Sequence, residues 1–297
     1  MSSKPETTGN SIEKLSFLGS AVALGQKHSH HNGRTSIMRH YENLMVEIGD
    51  DFVAEITLNR PENLNTFDIP LAKALHEALE DLDLENRTRV IIIKGAGKAF
   101  CAGIDISNFS NKSVKEYREW IQYMGNPLIA ISRMNKPVIA QVHGVAAANG
   151  AGLVAAADLA IAGEKARLGL TAINVGLNCV GPVVPVARSV GRKKALELLF
   201  YGDLISAGEA MKMGLINRVV PDADLEQETR KWAATLAQKS PLALQISKKA
   251  FYAAEDMEYY RAFEYMNEVF ARLCSSEDAQ EGIGAFLGKR APTWKEK

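Results

Sequence analysis

Val90-Ile91-Ile92-Ile93 is a run of four consecutive β-branched residues, and it constrains the folding of this 297-residue chain more than any other stretch. Such side chains are stiff at χ1 and pack well on a pleated surface, so the run reads as a buried strand that other elements must cover. The flanking sequence supplies candidates. Residues 45–48 and 52–58 read as two strands around the Gly49-Asp50-Asp51 turn, closed by Pro61. From Pro70, Leu71, Leu75, Leu79 and Leu82 recur three and four residues apart, which predicts a helix. Two further helices are predicted over 113–124 and 127–134, and a strand over 138–142. The small-residue segment 145–157 can approach neighbouring backbone closely, and a strand follows at 159–162. Helical patterns then cover 193–201, 207–213 (stopped by Gly214), 225–237 and 241–254, with a strand edge at Val219-Val220 and a mostly helical tail from Glu258 to Pro292. Strand and helix signals alternate and then give way to helices, which predicts an α/β core followed by a helical C-terminal section.

Three segments are expected: a flexible extension over 1–40, the core over 41–235 and the helical region over 236–297. The extension holds four of the six histidines. His28, His30 and His31 are spaced so that they can bind metal, but three polar residues in a tail need no metal, and none is expected. The segment from Leu15 to Leu24 is broken by Gly19 and Ser20 and lacks the apolar core of a secretory signal. Lys plus Arg and Asp plus Glu both number 35, so no global field draws the chain to nucleic acid. No apolar run reaches the ~20 residues that span a bilayer. Cys101, Cys179 and Cys274 are odd in number and far apart, which favours a reducing compartment over a disulfide framework or zinc cluster. There is no Gly-x-Gly-x-x-Gly turn after a strand and no phosphate-loop motif.

Residues 100–105, Phe-Cys-Ala-Gly-Ile-Asp, resemble a loop of the crotonase (enoyl-CoA hydratase/isomerase) superfamily. Five more blocks agree in order and spacing: Asn59-Arg60-Pro61-Glu62 with Leu64-Asn65; Lys136-Pro137-Val138-Ile139-Ala140 leading to His143-Gly144; Ala157-Asp158-Leu159-Ala160-Ile161-Ala162; Ile205-Ser206-Ala207 through Val219-Val220-Pro221; and Glu281-Gly282-Ile283 through Lys289-Arg290. The resemblance covers residue 42 to the end. It implies a ββα spiral core, a C-terminal trimerisation region, and a homotrimer or a dimer of trimers. It implies an acyl-CoA ligand as well, with no tightly bound cofactor beyond the coenzyme A of the thioester itself.

The resemblance also implies roles. The backbone N–H groups of Ile104 and Asn149 match the pair that polarises a thioester carbonyl, where fixed donors stabilise the developing negative charge. Asn149 alone reads as the cap of a tight helix start. Ala102 matches the residue whose backbone meets adenine, and Asn63 and Leu64 flank the coenzyme. Phe270, Phe286 and Lys289 match a C-terminal closing group often lent by a neighbouring subunit. The two glutamates that move protons in hydratases of the family fall on Gly152 and Ala172, neither of which can transfer a proton. Together with Ile173-Asn174-Val175-Gly176-Leu177-Asn178-Cys179, this is similar to a narrower group, the enoyl-CoA hydratase domain-containing proteins. That group is mitochondrial, so a matrix location stands as the alternative to a cytoplasmic one; Glu6 and Glu13 count against an import leader.

Asn178 and Cys179 are the remaining candidates near the reacting carbons. Cys179 is a nucleophile only if its thiolate is stabilised, and Asn178 holds water or a thioester by hydrogen bonds but is a poor base. Asp105 and Asp158 read as structural acids. Trp120, Tyr123 and Met124 fall on the helix that covers the acyl pocket in relatives. The expected function is acyl-CoA thioester processing with non-standard acid/base groups: isomerisation, atypical hydration or thioester hydrolysis. The alternative is an inactive acyl-CoA-binding or assembly protein.

Overall fold

The computed structural model describes residues 26–31, 34–107 and 109–297. Its elements in chain order begin with β1 (Gln26–His31), β2 (Arg34–Tyr41), β3 (Leu44–Ile48), β4 (Val53–Leu58), α1 (Ile69–Leu84), β5 (Val90–Gly95), α2 (Val114–Arg133), β6 (Val138–Val142), β7 (Val145–Ala147) and α3 (Asn149–Ala156). Then come β8 (Leu159–Gly163), β9 (Arg167–Gly169), α4 (Val183–Val190), α5 (Arg192–Tyr201), β10 (Ile205–Ser206), α6 (Ala207–Lys212) and β11 (Arg218–Val220). Four helices end the chain: α7 (Leu225–Ala237), α8 (Pro241–Ala254), α9 (Tyr259–Cys274) and α10 (Glu277–Leu287).

Among the described residues an eight-stranded sheet runs in the order β1-β2-β3-β4-β5-β6-β8-β11, beside a small sheet β10-β9-β7. The first four strands pair antiparallel, and β4 onward pair parallel. The β-branched run lies at the centre. Ile91 and Ile93 face the larger core, under α1, α2 and α3, and Val90 and Ile92 face a second core closed by α7. One strand therefore serves two apolar layers, which is why every side chain in the run is apolar.

The extension expected to be loose over 1–40 instead contributes β1 and β2, whose backbones pair with each other and with β3; residues 1–25 lie outside the described residues. The expected break near residue 125 is also absent. Ser113 and Glu116 form a capping box, and α2 runs on through Pro127. Pro127 forfeits one intrahelical bond, but Met124, Pro127, Leu128 and Ile131 make a buried stripe that holds the helix together. Helix α4 and strand β9 were not legible: short Val-Pro-rich and charged segments carry little periodicity. Helix α9 has no buried residue in the single chain and exposes Tyr259, Phe263 and Phe270.

Candidate functional site

Loop 95–105 is held from below by the turn at 60–65. Asn65 is fully buried; its Nδ2 donates to the Ala96 and Ala99 carbonyls at 2.8 Å each, and its Oδ1 accepts the Arg60 N–H at 2.9 Å. The 3-10 turn Pro61–Asn63 ends with Leu64 in the left-handed region, at φ 52°. The Leu64 carbonyl accepts the Ala102 N–H at 3.0 Å, so the Ala102 amide is spent, while no described donor reaches its carbonyl. Arg60 ties the far end of the loop, with Nη2 3.1 Å from Asp105 Oδ2 and Nε 3.3 Å from Asp68. Hydrogen bonds from Ser107, then from Arg60, hold the Asp105 carboxyl below the usual carboxylate range.

The loop then lies along β7 and the start of α3. Cys101 and Ala146 form a parallel bridge, Ala147 N donates to Cys101 O at 2.9 Å and Cys101 N to Val145 O at 3.1 Å. Gly150 permits this approach, because a β-carbon there would fall 2.1 Å from Cys101 O. Gly103, at φ 123°, sits against Ala148: a β-carbon on it would be 3.1 Å from the Ala148 Cβ. Ala148 itself has φ 48° and ψ −113°, a costly conformation for a residue with a β-carbon. It precedes the first turn of α3, whose leading N–H groups have no intrahelical acceptor.

Ile104 and Asn149 thus sit on two segments pressed together, and among the described residues neither N–H donates to a backbone carbonyl. Around Ile104 the ladder uses other groups: Phe67 N donates to Gly103 O and Asp105 N to Phe67 O, both at 2.8 Å. Asn149 does not cap α3. It is the first helical residue, Ala148 holds the cap position without a side-chain bond, and Asn149 Nδ2 reaches back to the Met124 carbonyl at 3.1 Å. That bond fixes α2 over the helix start.

The two positions where carboxylates are expected are filled differently. A β-carbon on Gly152 would lie 2.7 Å from Pro182 Cβ and 3.0 Å from Leu128 Cδ2. Ala172 packs against the apolar core from the 3-10 turn Thr171–Val175. Asn178 Oδ1 accepts the following Cys179 N–H at 2.8 Å. Cys179 is buried, and burial pushes its thiol above the ordinary range, against a smaller opposing effect of an Ala172 backbone hydrogen bond. Such surroundings disfavour a thiolate, the form that Cys179 would need as a nucleophile.

Phe270 and Phe286 lie on α9 and α10, 65% and 82% exposed, and Lys289 follows α10 with φ 50°. Helix α9 packs on α8 and α10, and the tail folds back so that Asp278 accepts Ser240 Oγ and the Lys295 and Glu296 N–H groups. Within one chain these three residues stay with the C-terminal helices, whereas Asn63, Leu64 and Ala102 are brought together. Trp120 packs edge-on to Phe109 at 5.8 Å, and Tyr123 carries the Lys73 ammonium over its ring at 4.7 Å.

Sequence reading missed a cavity of about 540 Å³ bounded by α2, α3, α4 and α8. At its wall Asp158 accepts Lys248 Nζ and Val138 N, both at 2.7 Å, and Tyr252 OH at 3.0 Å. Burial raises the Asp158 carboxyl and lowers the Lys248 ammonium. Asp158 is structural, as expected, tying β6 through Val138 to Lys248 and Tyr252 on a helix some 90 residues later. Among the described residues no His/Cys/Asp/Glu cluster can hold a metal ion, and no helix is long and apolar enough to cross a membrane.

Comparison with known proteins follows the same lines. The enoyl-CoA hydratase/isomerase family profile matches residues 49–297. The human "Enoyl-CoA hydratase domain-containing protein 3, mitochondrial" is 37% identical over 246 residues, covering 82% of this chain and 81% of that protein. The crystal structure of that human protein superposes with a TM-score of 0.78 at 35% identity, covering 87% of this chain and 99% of the other. An enoyl-CoA hydratase structure from Mycobacterium smegmatis gives 0.82 at 36% identity, with 85% and 98% covered.

Proposed function

The chain belongs to the enoyl-CoA hydratase/isomerase family, and from that premise we propose that it processes acyl-CoA thioesters with the Ile104 and Asn149 amides as an oxyanion hole. The observation that carries this reading is the pair of amides without backbone acceptors among the described residues, on segments locked together by Cys101, Ala146, Gly103 and Ala148. Attack on the thioester, or proton loss beside it, places negative charge on the carbonyl oxygen. Donors already fixed by the fold stabilise that charge without reorganising, and each is worth about 3 kcal/mol of barrier. The free Ala102 carbonyl suits an adenine amino group, with Asn63 and Leu64 on the flank. Coenzyme A enters as part of the substrate, and no other cofactor is required.

Proton transfer then falls to groups other than glutamates at 152 and 172. Asn178 has its Oδ1 engaged and offers Nδ2 as a donor to water or to the thioester. Cys179 serves as an apolar wall. Phe270, Phe286 and Lys289 close the coenzyme site of a neighbouring copy, in a homotrimer or dimer of trimers that also covers the exposed face of α9. Lys289 meets phosphate as a mobile point charge.

A second reading, binding without turnover, has its own support: Pro182 and Leu128 occupy the space that an acid at 152 would need. A panel of CoA thioesters separates the two. Turnover seen by mass spectrometry supports the enzyme. Calorimetric binding with unchanged masses supports the binding protein. Absence of both heat and thermal stabilisation defeats the acyl-CoA reading altogether. Cell fractionation decides between cytoplasmic and mitochondrial-matrix placement.

A further inference from the structure

Resting on the acyl-CoA reading, we propose that His143 is a positioning residue, which sets the nucleotide end of the coenzyme site by pinning the Gly97 carbonyl. His143 directly follows β6, and its imidazole Nε2 lies 3.1 Å from Gly97 O. A carbonyl oxygen only accepts, so Nε2 carries the proton of this bond. The main chain of the same residue holds the loop a second time, because the His143 carbonyl accepts the Phe100 N–H at 3.0 Å. Gly144 lets the two segments meet: a β-carbon on it would fall 2.0 Å from Lys98 O.

Residues 96–99 are thus tied from opposite sides. Asn65 takes the Ala96 and Ala99 carbonyls from within the core, and His143 takes the Gly97 carbonyl from the rim. Gly97 is where such a tie has most effect. It is exposed, at φ 75°, and has no side chain to pack, so its backbone has more freedom to lose than its alanine and lysine neighbours. Once pinned, it lies against Pro61; a β-carbon on Gly97 would be 2.7 Å from the Pro61 Cβ. Pro61 opens the 3-10 turn Pro61–Asn63, and Leu64 follows. Contact therefore runs from His143 through Gly97 to the two residues placed on the coenzyme's flank. The oxyanion end is held separately, by the bonds that join Phe67 to Gly103 and to Asp105. His143 is half-buried whereas Asn65 is fully buried. Losing the imidazole leaves the Gly97 carbonyl to water and does not strand it, so the loop loosens with little change in global stability.

Titration calorimetry of the full chain with CoA and with butanoyl-CoA tests this, together with amide exchange resolved across residues 96–105 and urea unfolding. His143→Phe keeps a ring and loses the donor. It should weaken CoA about tenfold and speed exchange over 96–100 by a similar factor. Exchange over 103–105 and the urea midpoint should stay as in the unmodified chain. His143→Gln offers an uncharged N–H at similar reach and should restore affinity and protection to within about twofold. Unmodified CoA affinity or exchange in His143→Phe, or no rescue by His143→Gln, overturns the positioning role while the acyl-CoA reading stands. A lowered urea midpoint in His143→Phe, with exchange faster throughout 96–105, makes the residue merely structural and overturns the role as well. If the unmodified chain binds neither CoA nor butanoyl-CoA, the acyl-CoA reading fails and this inference fails with it.

Discussion

Gly152 lies so close to Pro182 that a β-carbon added to it would stand 2.7 Å from the proline's own Cβ. A larger side chain at 152 would thus meet no empty slot. Gly152→Glu should destabilise the fold by about 1–3 kcal/mol through overpacking and should not confer crotonyl-CoA hydration. Urea unfolding and a hydration assay check both halves. Robust hydration by this single variant would mean that Pro182 yields more readily than the packing allows.

Ala148 holds φ 48° beside Asn149, a conformation that glycine adopts without a β-carbon penalty. Ala148→Gly should therefore keep acyl-CoA binding and raise stability by about 1 kcal/mol, the strain relieved less the entropy lost. Ala148→Val should lower stability and weaken binding. Thermal melts with and without ligand report on both variants.

Asn65 ties Arg60, Ala96 and Ala99 together from a fully buried position. Asn65→Ala takes the partner from the buried Ala99 carbonyl and from the half-buried Arg60 N–H and Ala96 carbonyl, and should cost about 3 kcal/mol. Because these bonds set loop 95–105 against residues 60–65, coenzyme affinity should fall as well. Unfolding free energy and calorimetry with CoA alone measure the two effects.

The three thiols should differ in reactivity. Burial pushes Cys101 up to about 12 and raises Cys179, whereas Cys274 is exposed. Iodoacetamide on the native chain should label Cys274 alone, and the other two only after denaturation. Rapid native labelling of Cys179 would reopen its case as a nucleophile.

Asp105 gives a pH signature. Its folded pKa is depressed, first by Ser107 and then by Arg60. The stabilisation is complete above the unfolded value of about 3.9 and drains away as pH falls through the lower folded value. Asp105→Asn should cost about 1 kcal/mol at pH 7, and the gap to the unmodified chain should close in acid. Urea titrations at descending pH follow it.

The chain's own pattern carried much of the architecture. Strand β6 and helices α7 and α8 fall on their expected bounds, since long amphipathic runs and compact β-branched runs have few alternatives. Pro127 misled because a proline's local cost is visible in sequence, while the buried stripe that offsets it is visible only in the packed helix. The extension misled for the opposite reason: polar residues at 26–31 form a strand because a neighbouring strand offers backbone bonds. The site divided in the same way. Asn63, Leu64, Ala102, Ile104 and Asn149 were singled out as candidates through contiguous motifs. The cavity was not, because its lining runs from Ile121 to Glu255 and no local stretch encodes it.

Sequence by itself determined that this chain buries a strand on both faces and alternates strand with helix, because side-chain size and spacing dictate where apolar surface must go. It also determined that positions 152 and 172 hold no acid. Only the tertiary structure decided that Pro182 fills the space beside Gly152, and that two main-chain amides on adjoining segments find no backbone acceptor among the described residues. Those depend on residues distant in sequence meeting at van der Waals range, which is a property of packing and not of any one stretch of chain.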